Sequence, residues 1–317
     1  MPKSVVFAFA LAPTRRKWGM PHLALVIAVT FWASSAIAIK VVISGIPIYE
    51  AVAFRYLIAA IVLWIITALT GQLSELRRMG WRPLAVGLIE PGIVSIIAYN
   101  GILLTTAVHA TVIFTLMPLI SSVLGRGFLN EEISPSVIVG AVIGLLGTVI
   151  LVAGLDSGEP ASLSGDLLII LAVVLICFAQ LTLRRVAQQH GHPALMTALM
   201  MTGGAISGMA LMAFLGEPNH LAWIETASPR VWLWFLYTAV LVSATSFLFT
   251  NYALRHLPVG RVQLYSILTA PIGVPMAWIV LGENVTSREI IAITIIVVGV
   301  TLPAITGGIR SRRTPPR

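Results

Sequence analysis

Charge is what this sequence has least of. Only 10% of its 317 residues are Asp, Glu, Lys or Arg, and 12 of those are acidic, whereas a soluble domain carries about 25%. That scarcity excludes an ordinary water-soluble globule. Cysteine is almost missing too. Cys177 is the single one, in the middle of an apolar run, so no intramolecular disulfide forms and a thiolate zinc or redox site lacks ligands. There is no Walker A sequence, so ATP hydrolysis is not expected. No alternating apolar and polar segments of about 10 residues occur, which argues against a β-barrel. His190 and His192 form an HGH loop with no cysteine or carboxylate at ligand spacing, so they read as solvated side chains and neither a metal nor another cofactor is expected. The acids stand singly, where an intramembrane lipid-modifying enzyme needs them clustered with histidine at the membrane surface. Such an enzyme is the alternative from another class.

What the chain does have is apolar length. Its hydrophobic fraction is 58% and its mean hydropathy is +0.96. A helix crossing the hydrocarbon needs roughly 20 apolar residues, and ten runs qualify: 21 to 43, 48 to 69, 83 to 105, 107 to 127, 134 to 154, 165 to 186, 193 to 215, 230 to 253, 259 to 281 and 287 to 306. The expected fold is therefore an all-α integral membrane protein with ten transmembrane helices, called spans 1 to 10 here.

The net charge of +8 is spread over short loops, which points to a membrane and not to nucleic acid. Sixteen of the twenty Lys and Arg residues fall on one alternating set of segments: the N-terminus, the loops with Arg77, Arg126, Arg184 and Arg255, and the tail. By the positive-inside rule both termini are cytoplasmic. Residues 4 to 12 are apolar but short and run into Arg15-Arg16-Lys17, so they read as a cytoplasmic tail and not as a signal peptide.

The stretch from Ala107 to Gly154 has a degraded copy from Pro258 to Ile305. In each, a helix with a central proline (Pro118; Pro271) meets a short acidic turn (Leu129 to Glu132; Leu281 to Asn284), and a second apolar helix follows. Glu131 and Glu283 are 152 positions apart, as are Gly147 and Gly299; Ser95 and Ser246, like Asn100 and Asn251, are 151 apart. Such offsets indicate a duplication of half the chain. Each half holds five spans, so the second enters the membrane inverted. The expected organisation is a cytoplasmic segment over 1 to 20, a first repeat over 21 to 154, an extracytoplasmic linker over 155 to 164, a second repeat over 165 to 306 and a basic tail over 307 to 317.

At this point the sequence resembles a known family. Two five-helix halves, Trp32 with Lys40 at the outer end of span 1, Arg55 near the start of span 2, and the proline-helix, acidic-turn, glycine-helix ending of each half are similar to the EamA domain of the drug/metabolite transporter superfamily. The likeness covers about residues 21 to 306. The first acidic turn departs from it, with Asn130-Glu131 where the family has Gly-Glu. The resemblance implies a multi-pass protein of the bacterial inner membrane, an exporter whose cavity is lined by spans 1, 3, 4, 6, 8 and 9.

In inverted-repeat transporters the substrate binds near the midplane, and polar groups there are costly unless they face a path or each other. Glu90 reads as the only acid well inside a span. It precedes Pro91 and Gly92, which free a backbone carbonyl and loosen the helix. It binds a proton or a cationic amine, or else neutralises an arginine such as Arg82 or Arg261. Glu90 and Tyr99 lie nine positions apart, about 180° on an ideal helix, so both face one cavity only if Pro91 turns the helix. Asn100 and Asn251 read as a pair of gates or as interhelical hydrogen bonds. Trp32 and Ser35 share a face of span 1, and Gln180, Ser243, Ser246, Gln263 and Tyr265 complete the candidate substrate-binding set. Glu50 and Arg55 read as a surface pair, and His109 as an interfacial histidine with a pH-sensing role as the alternative. Gly140-x-x-x-Gly144 and Gly204-x-x-x-Gly208 read as close-packing motifs, within the chain or in a dimer.

The function these features predict is secondary transport: export of a small metabolite, an amino acid or similar amphipathic solute, by alternating access, with protons or a second solute as driving partner. Multidrug or cationic-compound efflux is the alternative. The expected partners are a small-molecule substrate, the lipid bilayer and coupling protons, in a monomer or homodimer.

Overall fold

The computed structural model describes residues 19–129, 135–152, 162–189, 192–216, 219, 221–257, 262, 265–283 and 285–311. Among the described residues the secondary structure is helical throughout. In chain order the principal helices are α1 (Met20–Ile43), α2 (Ile48–Leu69), α3 (Arg82–Leu104), α4 (Ala107–Phe114), α5 (Met117–Leu129), α6 (Pro135–Val152), α7 (Leu163–Gln189), α8 (Pro193–Leu215), α9 (Pro229–His256), α10 (Thr269–Leu281) and α11 (Ser287–Ser311). Six stretches are long and apolar enough to cross a membrane: α1, α2, α3, Leu163–Leu183 of α7, α8 and α9. Ala107–Ser121 and Thr269–Leu281 are shorter apolar helices.

Proline and glycine set several helix ends. α5 begins just before Pro118, whose missing N–H costs nothing in a first turn. Pro193 and Pro229 open α8 and α9 in the same way, with Ser228 capping α9 by accepting the Val231 N–H. At the end of α10, Gly282 adopts φ 71°, a left-handed turn that favours glycine. Glu283 follows it directly.

The chain divides into two compact units, and each draws helices from both halves of the sequence. Unit 1 comprises residues 1–96 and 182–258, so α1, α2, the first part of α3, α8 and α9; unit 2 comprises 97–181 and 259–317.

In unit 1, α8 is the central strut, packed along α2 and α3. It gets that close through glycine. A Cβ on Gly203 would lie 2.2 Å from the Leu84 carbonyl oxygen, and one on Gly208 2.9 Å from the Cα of Ala53. Gly204 faces softer neighbours, the side chains of Pro91 at 3.0 Å and Tyr56 at 3.2 Å. The Gly204-x-x-x-Gly208 motif therefore packs inside the chain.

In unit 2 the same device joins α6 to α11. A Cβ on Gly299 would meet the backbone N of Gly144 at 2.7 Å and the carbonyl oxygen of Gly140 at 2.8 Å, and one on Gly147 would meet Ile296 at 2.6 Å. In a bilayer, where apolar burial drives helices together weakly, such backbone contact supplies the packing. Large apolar side chains such as Phe214, Leu233 and Ile279 point outward and exposed, as a lipid-facing surface requires.

Candidate functional site

The polar interior of unit 1 is built on two irregular helices, α3 and α9. In α3 the Pro91-Gly92 pair behaves as its chemistry dictates. Proline supplies no N–H, glycine supplies no side chain, and the helix kinks at Glu90, whose backbone is non-helical (φ −130°, ψ 114°) within the wide turns of Leu88–Ile93. The phase of α3 is therefore not that of an ideal helix between Glu90 and Tyr99. Gly92 sits against α8, where a Cβ would fall 1.8 Å from the Ser207 hydroxyl.

Glu90 is 4% exposed, and its Oε2 has no hydrogen-bond partner. Arg82, one of the arginines that could have neutralised it, is exposed, and Arg261 lies outside the described residues. A buried carboxylate with an unsatisfied oxygen is costly to hold and marks a place where a ligand or a proton belongs.

Glu50 and Arg55 on α2 are not at a surface. They are 0% and 4% exposed. Arg55 Nε donates to Ser243 Oγ at 2.6 Å, and its guanidinium carbon lies 5.3 Å from the Tyr56 ring centroid, within cation–π range. The Tyr56 hydroxyl in turn bonds the Ser95 hydroxyl on α3. Sequence reasoning placed Ser243 among the site residues but missed Arg55, the group that holds it. Nor is Glu90 the only buried acid: Glu50, Asp166 and Glu289 are buried as well, each in the first turn of its helix.

Ser243 reaches Arg55 from a second irregular stretch, the π-helical turns of Thr238–Thr245 in α9. There Thr245 Oγ1 and Ser246 Oγ donate to carbonyls five residues back, Val240 at 2.9 Å and Leu241 at 2.9 Å. Shifted by 151 positions, the spacing of Ser95 to Ser246, the wide turns of Leu88–Ile93 fall inside Thr238–Thr245. Wide turns of this kind are frequent at functional sites.

The other candidates of unit 1 are placed as follows. Asn251 is buried and donates through Nδ2 to Thr197 Oγ1 at 2.9 Å and to Met200 Sδ at 3.3 Å, tying α9 to α8. Trp32 is half-buried with its ring edge-on to Phe247, centroids 5.5 Å apart. Ser35 is half-buried just after Ser34, whose hydroxyl bonds Tyr237 at 2.6 Å. In unit 2, Tyr99 and Gln180 are buried, while Asn100 and Tyr265 are half-buried. Gln263 lies outside the described residues. Among the described residues no group of three or more His, Cys, Asp or Glu is arranged to hold a metal ion.

Comparison with known proteins gives a consistent picture. The model of the EamA-like transporter family matches the chain twice, over residues 19–153 and 163–304. The chain is 24% identical over 256 residues to the uncharacterized transporter YyaM of Bacillus subtilis (strain 168), covering 78% of this chain and 81% of that one. It is 22% identical over 301 residues to the uncharacterized transporter YetK of the same organism, covering 90% and 86%. A solved crystal structure superposes on 93% of this chain and 99% of its own at a TM-score of 0.68 with 20% identity, which shows a shared fold. With six apolar helices long enough to span, the chain is a multi-pass membrane protein.

Proposed function

We propose, from the premise that the chain belongs to the EamA-like transporter family, that it is a secondary transporter of the plasma membrane exporting a small amphipathic solute such as an amino acid. It does so as ten spans in two inverted five-helix repeats, both termini cytoplasmic, by alternating access driven by protons or by exchange. The double family match and the wide turns at repeat-related positions of α3 and α9 support the duplication. The sixteen-to-four partition of Lys and Arg supports the orientation.

The observation that carries the functional reading is Glu90: a buried carboxylate with an unsatisfied oxygen, at a kink, in a protein that moves solutes. Glu90 supplies the negative group that an ammonium or a transported proton needs, and Arg55 is a buried cation in the same unit. An interior carrying one group of each sign suits a zwitterion. Trp32, Ser35, Ser243, Ser246 and Asn251 from unit 1, and Tyr99, Asn100, Gln180, Gln263 and Tyr265 from unit 2, complete the set that meets substrate.

The test is transport in proteoliposomes of radiolabelled amino acids and amines first chosen by a growth-protection screen of an overexpressing strain. Glu90→Gln is expected to lose most of the uptake of the protective solute and to flatten its pH dependence. Unchanged rate and pH profile would remove Glu90 from binding and coupling. Protection against lipophilic cations alone would favour cationic-compound efflux, the reading a carboxylate acting without Arg55 supports.

A further inference from the structure

Unit 2 holds an ionisable cluster that the Glu90 reading does not use. His109 lies in the first turn of α4, Asp166 in the first turn of α7 and Glu289 in the first turn of α11. All three are buried. His109 Nδ1 is 2.9 Å from Asp166 Oδ2, and His109 Nε2 is 3.6 Å from Glu289 Oε1. One imidazole thus stands between two carboxylates from two other helices.

Each carboxylate is aimed by its other oxygen. Asp166 Oδ1 accepts from Thr105 Oγ1 at 2.6 Å. Glu289 Oε2 accepts from the Thr286 backbone N–H at 2.6 Å and from its hydroxyl at 2.9 Å, while Thr286 Oγ1 accepts the Glu289 N–H at 3.2 Å. That reciprocal pair is a capping box. Its consequence is that Oε1 is left facing His109. The imidazole is fixed as well, because the His109 backbone N–H is taken by the Thr106 hydroxyl at 3.0 Å.

We propose that His109, Asp166 and Glu289 form a proton-binding site which, when occupied, fastens the starts of α4, α7 and α11, and when empty releases α11. With both ring nitrogens protonated, the imidazolium donates to Asp166 and attracts Glu289. With one proton gone, the neutral ring keeps its Nδ1–H on Asp166, at the shorter distance. The N–H bond at Nε2 is the one that breaks; its electron pair stays on nitrogen and the proton passes to water. A lone pair then faces the Glu289 carboxylate, and attraction turns to repulsion. Imidazole is the side chain whose charge changes near neutral pH, which is why histidine suits this place.

The other groups around the cluster favour the occupied form. Glu283, in the turn before α11, accepts the N–H groups of Ala107 and Val108 and adds a negative charge one residue from His109. α10, packed along α4, carries no ionisable side chain, and Arg288, next to Glu289, is exposed. The helix N-termini carry positive partial charge that opposes the imidazolium, and the carboxylates outweigh it. The site needs no transported solute to be tested, so it stands or falls apart from the Glu90 reading.

The experiment uses full-length protein in lipid nanodiscs with nitrogen-labelled histidine. The chain has six histidines, and His109→Gln identifies the signal of interest. Across about pH 5 to about pH 8, His109 Nε2 is expected to titrate while Nδ1 stays protonated. Hydrogen exchange at residues 287–293 should become roughly tenfold faster on deprotonation, which corresponds to about 1.4 kcal/mol. That pH-linked change should vanish in Glu289→Gln, which keeps an oxygen for the Thr286 N–H and serves if His109→Gln does not fold. A ring whose protonation stays constant across this range would overturn the proposal. So would exchange at 287–293 that ignores pH in the wild type or responds equally in Glu289→Gln.

Discussion

The Glu283 carboxylate accepts the backbone N–H of Ala107 at 3.0 Å through Oε1 and that of Val108 at 3.1 Å through Oε2. With Thr106 taking the His109 N–H, the first three donors of α4 are all satisfied, two of them by a residue far away in the sequence. Gly282 makes this geometry available, because its left-handed turn ends α10 where the carboxylate meets α4. The acidic turn, the plainest repeated motif in the chain, is here a cap on a neighbouring helix.

Glu283→Ala is accordingly expected to lower stability by about 2 kcal/mol, the worth of hydrogen bonds to a charged acceptor at a helix N-terminus. Glu283→Gln, which keeps one accepting oxygen, should recover about half of that. Melting temperatures of the purified protein in detergent check the order wild type, Gln, Ala. An alanine variant as stable as the wild type would show that the cap contributes nothing.

The adjacent glycines of α8 should respond differently to the same substitution. Gly203→Ala drives a methyl group into the Leu84 carbonyl, a backbone atom that moves only with its helix. The cost is on the order of 1 to 3 kcal/mol or more. Gly204→Ala presses on the side chains of Pro91 and Tyr56, which give more easily. Expression level and monodispersity of the two variants, compared side by side, decide the matter; equal behaviour would contradict the contact geometry.

Arg55 and Ser243 form a buried charged hydrogen bond. Ser243→Ala removes an acceptor from Arg55 and should cost about 1 to 3 kcal/mol. Arg55→Met should make the same serine change nearly neutral. A double-mutant cycle on thermal stability reads the coupling directly, and strictly additive effects would mean that the 2.6 Å contact is energetically idle.

Asn251→Ala offers a gentler check on the α8–α9 tie. A hydrogen bond between membrane helices is worth about 0.6 kcal/mol on average, so a small loss of stability is expected. If solute uptake falls far more than stability does, Asn251 meets substrate as well as Thr197.

Much of this was legible in the sequence, and the particular failures show why the rest was not. The apolar runs, the helix-breaking Pro91-Gly92 pair and the two glycine motifs rest on local chemistry, so they could be read from neighbours along the chain. Arg55 was read as a surface charge because it lies near a helix end, and nothing in its own neighbourhood announces Ser243. Ser243 is presented to it by π-helical turns, which leave no reliable mark in composition. His109 was read as interfacial for the same reason. Its partners Asp166 and Glu289 open two other helices, and only the fold brings three helix starts together. Buried polar groups joined over long sequence distances are the class of contact that periodicity cannot report.

The wide turns of Thr238–Thr245 have a last consequence, for the reading frame of the helix. Where bonds run to the fifth residue back, the turn holds one residue more than an α-turn would. Deleting any one residue there would let the ladder close as ordinary α-helix and rotate everything after it by about 100°. Asn251 would then swing away from Thr197, although neither residue had been touched. The surplus residue is thus an angular offset written into the chain, and it makes a single deletion in this stretch more damaging than most substitutions.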